Sequence, residues 1–154
     1  MTGAAPVVVN KGAIVIGDRF RTEARQIRAS LATGAMGVLK IGDNVFVNQG
    51  VRIHAESSVT IGSRVEIGDL VAIYDTDFHP VEPGAAVRTS PVRIGDDCWV
   101  CAGAIILPGV SLGRGTVVAA GAVVTKSSPV GALLAGNPAR VIRQFEVPAD
   151  YERR

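Results

Sequence analysis

Residues 94–130 read IGDDCWVCAGAIILPGVSLGRGTVVAAGAVVTKSSPV, and an aliphatic residue recurs in this stretch at every sixth position. These anchors are Ile94, Val100, Ile106, Leu112, Val118, Val124 and Val130. Four residues after each of the first six anchors comes a small or β-branched side chain: Cys98, Ala104, Val110, Thr116, Ala122 and Ser128. A period of six fits one short strand plus one corner. Three periods would close a triangular coil, and stacked coils would bury a continuous apolar column.

Glycines mark the expected corners. Four of them follow consecutive anchors by three residues: Gly103, Gly109, Gly115 and Gly121. Glycine accepts the positive φ that a tight corner demands. The eighteen-residue spacing expected for a three-sided coil recurs at Gly95, Gly113 and Gly131. A β-sandwich, the alternative architecture, would show turns every 8–12 residues or so instead of this period.

The same register occurs earlier in the chain, at Ile41, Val47 and Ile53 and again at Ile61, Ile67 and Ile73. Two extra residues lie between these triplets, around 54–56, and a fainter coil begins near Ile16-Gly17. Residues 21–40 lack a clear period. We therefore predict one all-β domain, a parallel β-helix of about five coils. Its expected parts are an irregular N-terminal segment with the first coil (1–40), the β-helix (41–136) with an extruded loop (74–93), and a C-terminal tail (137–154).

Composition agrees with strands and narrows the function. Apolar residues make up 47% of the chain but aromatics only 5%, which favours β-branched and small side chains. The net charge of +2 shows no concentrated basic face, so we do not expect nucleic-acid binding. The apolar runs are too short to span a bilayer, and the first ten residues do not resemble a signal peptide. The sequence predicts a cytoplasmic protein.

The register fails between Ile73 and Ile94, where residues 79–93 are extra. Continuing the coil would turn Asp77 inward, and burying an unpaired carboxylate is unfavourable. We therefore expect the chain to leave the coil near Asp75. Long loops on rigid scaffolds tend to carry function.

His79, in this loop, is the candidate general base, because imidazole titrates near neutral pH and can accept a hydroxyl proton. Either Asp75 or Asp77 is expected to hold its ring. On spacing alone, a single loop histidine is more often a surface residue. His54, in the two-residue insertion, is expected to be exposed and not catalytic.

Cys98 and Cys101 form a C-x-x-C motif. Zinc binding would need a second ligand pair, and a redox site would need a helix start after a strand, and neither is evident. Cys98 is therefore interpreted as an inward-facing filler, and no metal site is predicted.

Several stretches together resemble hexapeptide-repeat acyltransferases, particularly the maltose and galactoside O-acetyltransferase branch. They are IGDNVFVN (41–48), YDTDFHP (74–80), IGDDCWV (94–100), LPGVSLG (107–113), AGAVVTK (120–126) and AGNPARVIR (135–143). The resemblance covers about residues 41–143. It implies a left-handed β-helix, acetyl-CoA as acyl donor, and a homotrimer with its sites between subunits.

The resemblance also assigns candidate roles on the acceptor side. His79 matches the general base, and Asn48 matches an asparagine that faces the acceptor, although it could equally be a solvated turn residue. Glu56 stands where relatives often have an acceptor-binding aspartate. Asp75, Asp77 and Arg88 complete the acceptor-side candidates.

On the coenzyme side, Trp99 matches the aromatic that flanks the coenzyme arm. Ala102 and Ala120 match positions whose backbone groups bond the pantetheine. Four polar residues match the region near the nucleotide phosphates, although each could be an ordinary surface residue: Thr125, Lys126, Arg140 and Arg143.

The implied activity is direct acetyl transfer from acetyl-CoA to a hydroxyl of a sugar or glycan, without a covalent intermediate or a metal. An antibiotic acceptor stays open. One alternative is a non-catalytic β-helix that acts as a scaffold or binding module. Another is a β-helix carbonic anhydrase, which would need three zinc-binding histidines, whereas this chain has only His54 and His79.

Overall fold

The computed structural model describes residues 2–153, which form three sheets of mainly parallel strands and no helix. Within that range, therefore, no helix is long and apolar enough to cross a membrane. The six-stranded sheet contains β2 (Val7–Asn10), β5 (Ser30–Thr33), β8 (Arg52–Ala55), β11 (Ala72–Tyr74), β14 (Ile105–Ile106) and β17 (Val123–Val124). The five-stranded sheet contains β3 (Ala13–Ile16), β6 (Val38–Ile41), β9 (Ser58–Ile61), β12 (Val92–Ile94) and β15 (Ser111–Leu112). The eight-stranded sheet contains β1 (Thr2–Gly3), β4 (Arg21–Ala24), β7 (Phe46–Val47), β10 (Glu66–Ile67), β13 (Trp99–Val100), β16 (Val117–Val118), β18 (Ala132–Gly136) and β19 (Ala139–Gln144).

The chain passes through the three sheets in a fixed order. From β2 to β16 each turn uses one strand of the six-stranded, then the five-stranded, then the eight-stranded sheet, which makes five complete coils. Each strand pairs in parallel with the strand one coil away, as Ile94 does with Ile61 and Leu112. The predicted three-sided β-helix of about five coils is confirmed.

The column inside the prism is built from the predicted anchors. Six of the seven anchors in the periodic stretch are buried, as are all six anchors between Ile41 and Ile73. Cys98 is fully buried among them and donates its thiol proton to the Gly113 carbonyl at 3.3 Å, so its interpretation as an inward filler is confirmed. Each aliphatic side chain buried here stabilises the fold by about 1.5–3 kcal/mol.

Val130 is the anchor that was predicted wrongly, since its side chain is 51% exposed. The last coil is two residues shorter than the one before it, so Leu112 is bridged by Ser128 and Val118 pairs with Leu134. Leu134 is buried and takes the inward position. The six-residue count therefore misplaces this coil.

Residues 21–40 also differ from the expectation of an irregular segment, because β4, β5 and β6 are ordinary strands there. Their inward positions include the buried Thr22, Ala24 and Thr33. These residues do not belong to the large aliphatic class from which the period was read. Ile16, where a fainter coil was expected, ends β3 but is partly exposed, because it lies on an end coil of the prism.

The corner between the five-stranded and eight-stranded sheets is held by a buried carboxylate. Asp97 accepts hydrogen bonds from Arg64 Nε at 2.7 Å, from Arg114 Nε at 2.9 Å and from the Arg153 backbone N–H at 3.1 Å. Burial alone would raise the pKa of Asp97, but these hydrogen bonds lower it to about 2. Arg114 also donates to the carbonyls of Pro148 and Tyr151, which holds the C-terminal segment against this corner.

Candidate functional site

Most of the candidate site residues fall on two corners at opposite edges of the six-stranded sheet. We call the corner between the six-stranded and five-stranded sheets the histidine corner; it carries Glu56, the loop with Asp75, Asp77, His79 and Arg88, and Thr125 and Lys126. We call the corner between the eight-stranded and six-stranded sheets the alanine corner; it carries Asn48, Ala102 and Ala120. Trp99 lies in β13 of the eight-stranded sheet, just before the alanine corner. Within one prism the two sets are separated by the width of a sheet.

The loop leaves the coil at a tightly bonded neck. Asp75 is fully buried, and its carboxylate accepts hydrogen bonds from the backbone N–H groups of Glu56, Ser57 and Ser58, each at 2.7 Å. Its backbone carbonyl accepts from the Ser90 N–H at 2.8 Å. The chain therefore leaves the coil at Asp75, as the cost of burying Asp77 predicted.

Beyond the neck, the two sides of the loop pair with each other. Thr76 and Thr89 form an antiparallel bridge, and their hydroxyls lie 3.0 Å apart. Arg88 donates from Nη2 to the Pro108 carbonyl at 2.6 Å, which ties the loop to the next coil. Arg88 thus has a structural contact, and its proposed acceptor role stays a prediction.

His79 is exposed, and within residues 2–153 no side chain forms a hydrogen bond with its ring. The expected contact from Asp75 is absent, because that carboxylate is taken by three N–H groups of the neighbouring coil. Asp77 contacts His79 only through the backbone, where its carbonyl accepts from the His79 N–H at 2.7 Å.

His54 differs from its prediction as an exposed residue. Its side chain is only 22% exposed, and Nε2 lies 3.1 Å from Glu56 Oε2. The His54 ring also packs edge-on against Phe78, with ring centroids 4.9 Å apart. His54 is less exposed than predicted because the loop folds back over β8 and Phe78 covers its ring. The six-residue period does not predict the path of the loop.

The Glu56 side chain is 47% exposed, and its carboxylate turns back towards its own strand. Besides its contact with His54, its carboxylate lies over Gly34, where a Cβ would overlap it. Glu56 also lines a cavity of about 410 Å³ together with Thr76, Phe78, Val87 and Thr89. One of these lining residues, Phe78, directly precedes His79 in the chain. The cavity combines one carboxylate and two hydroxyls with apolar side chains, a composition that suits a hydroxyl-bearing ligand.

At the alanine corner the backbone is left accessible. Ala102 and Ala120 are exposed, and nothing in residues 2–153 accepts a hydrogen bond from either N–H. Gly103 and Gly121 follow them with φ of 69° and 68°, the left-handed conformation that the corner glycines were expected to supply.

Trp99 is 43% exposed on the eight-stranded sheet. The Arg153 guanidinium lies over its ring, 5.9 Å from the centroid, and also lies over Tyr151 at 5.8 Å. Arg153 was missed by the sequence reasoning, since no motif or period marks a basic residue in the C-terminal tail as a partner of Trp99.

The four residues expected near the coenzyme phosphates do not form one cluster in a single chain. Thr125 and Lys126 are exposed at the histidine corner, just after β17. Arg140 and Arg143 are exposed on β19, which pairs antiparallel with β18 at the edge of the eight-stranded sheet. All four stay candidates for binding the coenzyme phosphates, with one pair at the histidine corner and the other on the eight-stranded sheet.

The two cysteines are free. Burial raises the pKa of the Cys98 thiol to about 12 and also raises the pKa of Cys101. No group of three or more His, Cys, Asp and Glu side chains within residues 2–153 is placed to hold a metal ion. The expectation that no metal is required stays a prediction.

Comparison with known proteins agrees with this architecture. Residues 91–126 match the family model described as bacterial transferase hexapeptide (six repeats). The chain is 34% identical to a protein of Staphylococcus aureus (strain MRSA252) that is provisionally named an acetyltransferase, over 92% of this chain and 74% of that protein. It is 34% identical to the galactoside O-acetyltransferase of Escherichia coli (strain K12), over 70% of this chain and 54% of the relative.

A solved structure shows the same fold. A hexapeptide-repeat acetyltransferase from Vibrio cholerae O1 biovar eltor, crystallised with acetyl-coenzyme A, superposes with a TM-score of 0.72 and 28% identity, over 85% of this chain and 70% of that one. The chain spans only about half the length of several curated relatives, for example 55% of one and 52% of another. The resemblance seen in the sequence is confirmed: this chain belongs to the hexapeptide-repeat transferases, with their left-handed parallel β-helix, and groups with the acetyltransferases that include galactoside O-acetyltransferase.

Proposed function

We propose that this protein transfers an acetyl group from acetyl-CoA to a hydroxyl of a sugar or glycan, with His79 as general base. Its similarity to a galactoside O-acetyltransferase and to an acetyltransferase crystallised with acetyl-coenzyme A supports this activity. The observation that carries the proposal is the loop at the histidine corner: His79 is exposed on it, and the residue before it, Phe78, lines a cavity together with a carboxylate and two hydroxyls.

The division of the site between two corners supports an assembly of several copies. The alanine corner of one copy can meet the histidine corner of another when their six-stranded sheets face a common axis. The outward rows of that sheet are apolar at Val7, Val9, Ala32, Tyr74, Ile105 and Val123, and Ser30, Arg52 and His54 are polar positions in the same rows. A homotrimer with three such junctions is the expected assembly.

In this arrangement the chemistry needs few groups. His79 would remove the proton from the acceptor hydroxyl as its oxygen attacks the thioester carbonyl, and the released thiolate would leave as CoA after protonation. The free N–H groups at the alanine corner would hold the pantetheine arm, and one near Ala102 would stabilise the oxyanion. Acetyl transfer by this route needs no covalent enzyme intermediate.

Coenzyme binding is tested independently of the acceptor, because Trp99 is the only tryptophan of the chain. Titration with CoA should change its fluorescence if the coenzyme arm lies beside it. Filling the groove with Ala102→Trp should weaken binding, which is then measured by calorimetry because the variant adds a second tryptophan. If CoA does not bind, a non-catalytic scaffold becomes the better interpretation.

Transfer itself is tested by CoA release from acetyl-CoA across a panel of sugars and glycans. We expect His79→Ala to lower kcat by about 10²–10⁴-fold, the usual contribution of general-base catalysis. The matched control is Glu82→Gln, an exposed residue of the same loop, which should leave kcat unchanged. If the His79→Ala protein releases CoA as fast as the parent, His79 is not the base.

A cytoplasmic location stays a prediction that cell fractionation would test.

A further inference from the structure

Phe78, the residue directly before His79, has an unusual backbone. Its φ is 61°, in the left-handed region that a bulky side chain rarely adopts. The conformation of Phe78 sets the direction in which the chain continues into His79. Such a conformation persists only where surrounding contacts hold it, and it recurs at functional sites.

Two aromatic rings of the six-stranded sheet hold Phe78. The Phe78 ring packs edge-on against His54, with centroids 4.9 Å apart and planes at 60°, and against Tyr74, at 5.5 Å and 77°. His54 and Tyr74 are direct neighbours in register on β8 and β11, so both rings stand on paired strands. Edge-on aromatic pairs at such distances are favourable beyond simple burial.

His54 is itself fixed by a polar contact. Its Nε2 lies 3.1 Å from Glu56 Oε2, and the Glu56 carboxylate occupies the space where a side chain at position 34 would stand, which Gly34 leaves free. Phe78 is also a wall shared by two cavities, the one of about 410 Å³ that Glu56 lines and one of about 170 Å³ that His54 and Tyr74 line. A continuous set of contacts thus runs from Glu56 through His54 and Phe78 to the backbone of His79.

We infer that His54 is a positioning residue for His79, acting through the edge-on contact of its ring with Phe78; this inference rests on the proposed role of His79 as general base. His54 does not touch the reacting atoms. Its ring keeps Phe78 in the left-handed conformation, and the imidazole of His79 is thereby aimed at the acceptor. Glu56 bonds the same ring, but the edge-on contact with Phe78 is what acts on His79.

Three substitutions separate the ring from the hydrogen bond. His54→Phe keeps an aromatic ring against Phe78 but cannot bond Glu56, His54→Gln keeps a donor for Glu56 but has no ring, and His54→Ala has neither. We expect His54→Ala and His54→Gln to lower kcat about 10-fold with the KM for acetyl-CoA unchanged, because misplacement of a catalytic group slows the chemical step. His54→Phe should stay within about 2-fold of the parent kcat. Val15→Ala, on the exposed face of the five-stranded sheet, is the control without effect.

A second readout does not depend on activity. The chain has only two histidines, so a protein with ¹³C-labelled imidazole rings gives two sets of ring signals, each assigned by substitution. The His79 ring signals should move in His54→Ala and His54→Gln and stay in place in His54→Phe. Variants are compared at equal oligomeric state, checked by light scattering. Phe78→Leu, which removes the ring from the loop side, should reproduce the His54→Ala result if His54→Ala does not fold or assemble.

Two results would overturn the inference. If His54→Gln behaves like the parent while His54→Phe behaves like His54→Ala, the bond to Glu56 matters and the ring contact does not. If the His79 signals are unchanged in all three variants, His54 only stabilises the coil. A parent-like rate in His79→Ala would instead refute the proposed function, and the His79 ring signals would still decide whether His54 positions that residue.

Discussion

The alanine corner and the histidine corner are built from the same repeat and lie at opposite edges of one sheet, yet they differ in what they present. At the alanine corner the period is unbroken, and a small residue followed by glycine recurs at Ala102-Gly103 and Ala120-Gly121. It presents bare backbone along a smooth edge. At the histidine corner the period is interrupted after Asp75, and the excursion presents side chains, including His79.

The difference separates two requirements of group transfer. A long coenzyme arm is best held by repeated backbone groups on a rigid edge, whereas proton transfer needs one side chain at a defined point. The regular repeat supplies the row of backbone groups, whereas the single side chain at a defined point comes from an insertion that interrupts the repeat. Because a sheet separates the two corners in each prism, we expect the complete site to form only between copies.

The largest expected effect comes from mixing two impaired variants. His79→Ala impairs the histidine corner and Ala102→Trp weakens coenzyme binding at the alanine corner, so each variant alone should be far less active than the parent. In randomly mixed trimers, about a quarter of all junctions would join one intact corner of each kind, and activity should return to about a quarter of the parent value. Coexpression with two affinity tags, followed by the CoA-release assay, measures this recovery.

Mixing after separate purification, without exchange of subunits, is the control and should leave activity at background. If coexpressed mixed trimers stay at background while each variant still assembles, both corners belong to a site within one chain. The separation of the corners would then have no catalytic meaning.

The neck of the loop gives the next largest effect. Asp75→Asn replaces a buried carboxylate that accepts three backbone hydrogen bonds, so at least one N–H would face an amide donor. We expect a loss of about 2–4 kcal/mol in the free energy of unfolding, measured by urea denaturation at fixed protein concentration. Asp77→Asn, the same change at a half-buried carboxylate two residues on that accepts no backbone hydrogen bond through its side chain within residues 2–153, should cost less than about 0.5 kcal/mol. Equal losses would mean that the neck is not held by Asp75.

A smaller effect is expected at the third corner, which carries neither set of site residues. The pKa of Asp97 is about 2 in the folded chain, below its ordinary value of 3.8. Its ionised form therefore stabilises the fold fully above about pH 3.8, and this contribution is lost as the pH falls from 3.8 to about 2. Asp97→Asn should cost about 1–3 kcal/mol at pH 7, since its arginine partners are partly solvated.

The pH profile of that variant is the sharper measurement. The difference in unfolding free energy between parent and Asp97→Asn should be constant from pH 7 to about 4 and shrink below it. Asp96→Asn, whose side chain is more exposed, is the matched control and should differ from the parent by about 0–1 kcal/mol. A difference that persists undiminished at pH 2 would contradict the low pKa.

Sequence reasoning predicted the fold correctly where large aliphatic residues recur at a fixed spacing, because such residues belong in the interior. The anchors from Ile94 to Val124 are large and aliphatic, and a three-sided coil buries them all. It failed where the coil changed length, at Val130, and where Thr22 and Thr33 took inward positions that the aliphatic pattern does not reveal. The His54–Phe78 contact could not be predicted either, because it depends on how an excursion folds back. An aromatic directly before the candidate base in a polar loop was the available signal.

The smallest effect is expected for Cys101, which lies near the alanine corner and would be the obvious nucleophile if transfer passed through an acetyl-enzyme. Burial raises the pKa of its thiol, so at pH 7 the thiolate needed for attack is scarce. Cys98 faces the interior with a pKa of about 12 and is less reactive still. Cys101→Ala should therefore keep kcat within about 2-fold of the parent, and no acetylated chain should accumulate with acetyl-CoA in mass spectra. Two results together would contradict direct transfer: a loss of kcat as large as that of His79→Ala, and an acetyl adduct on the parent that Cys101→Ala lacks. Transfer would then pass through a covalent acetyl-enzyme on Cys101, and the nucleophile would lie near the alanine corner alone.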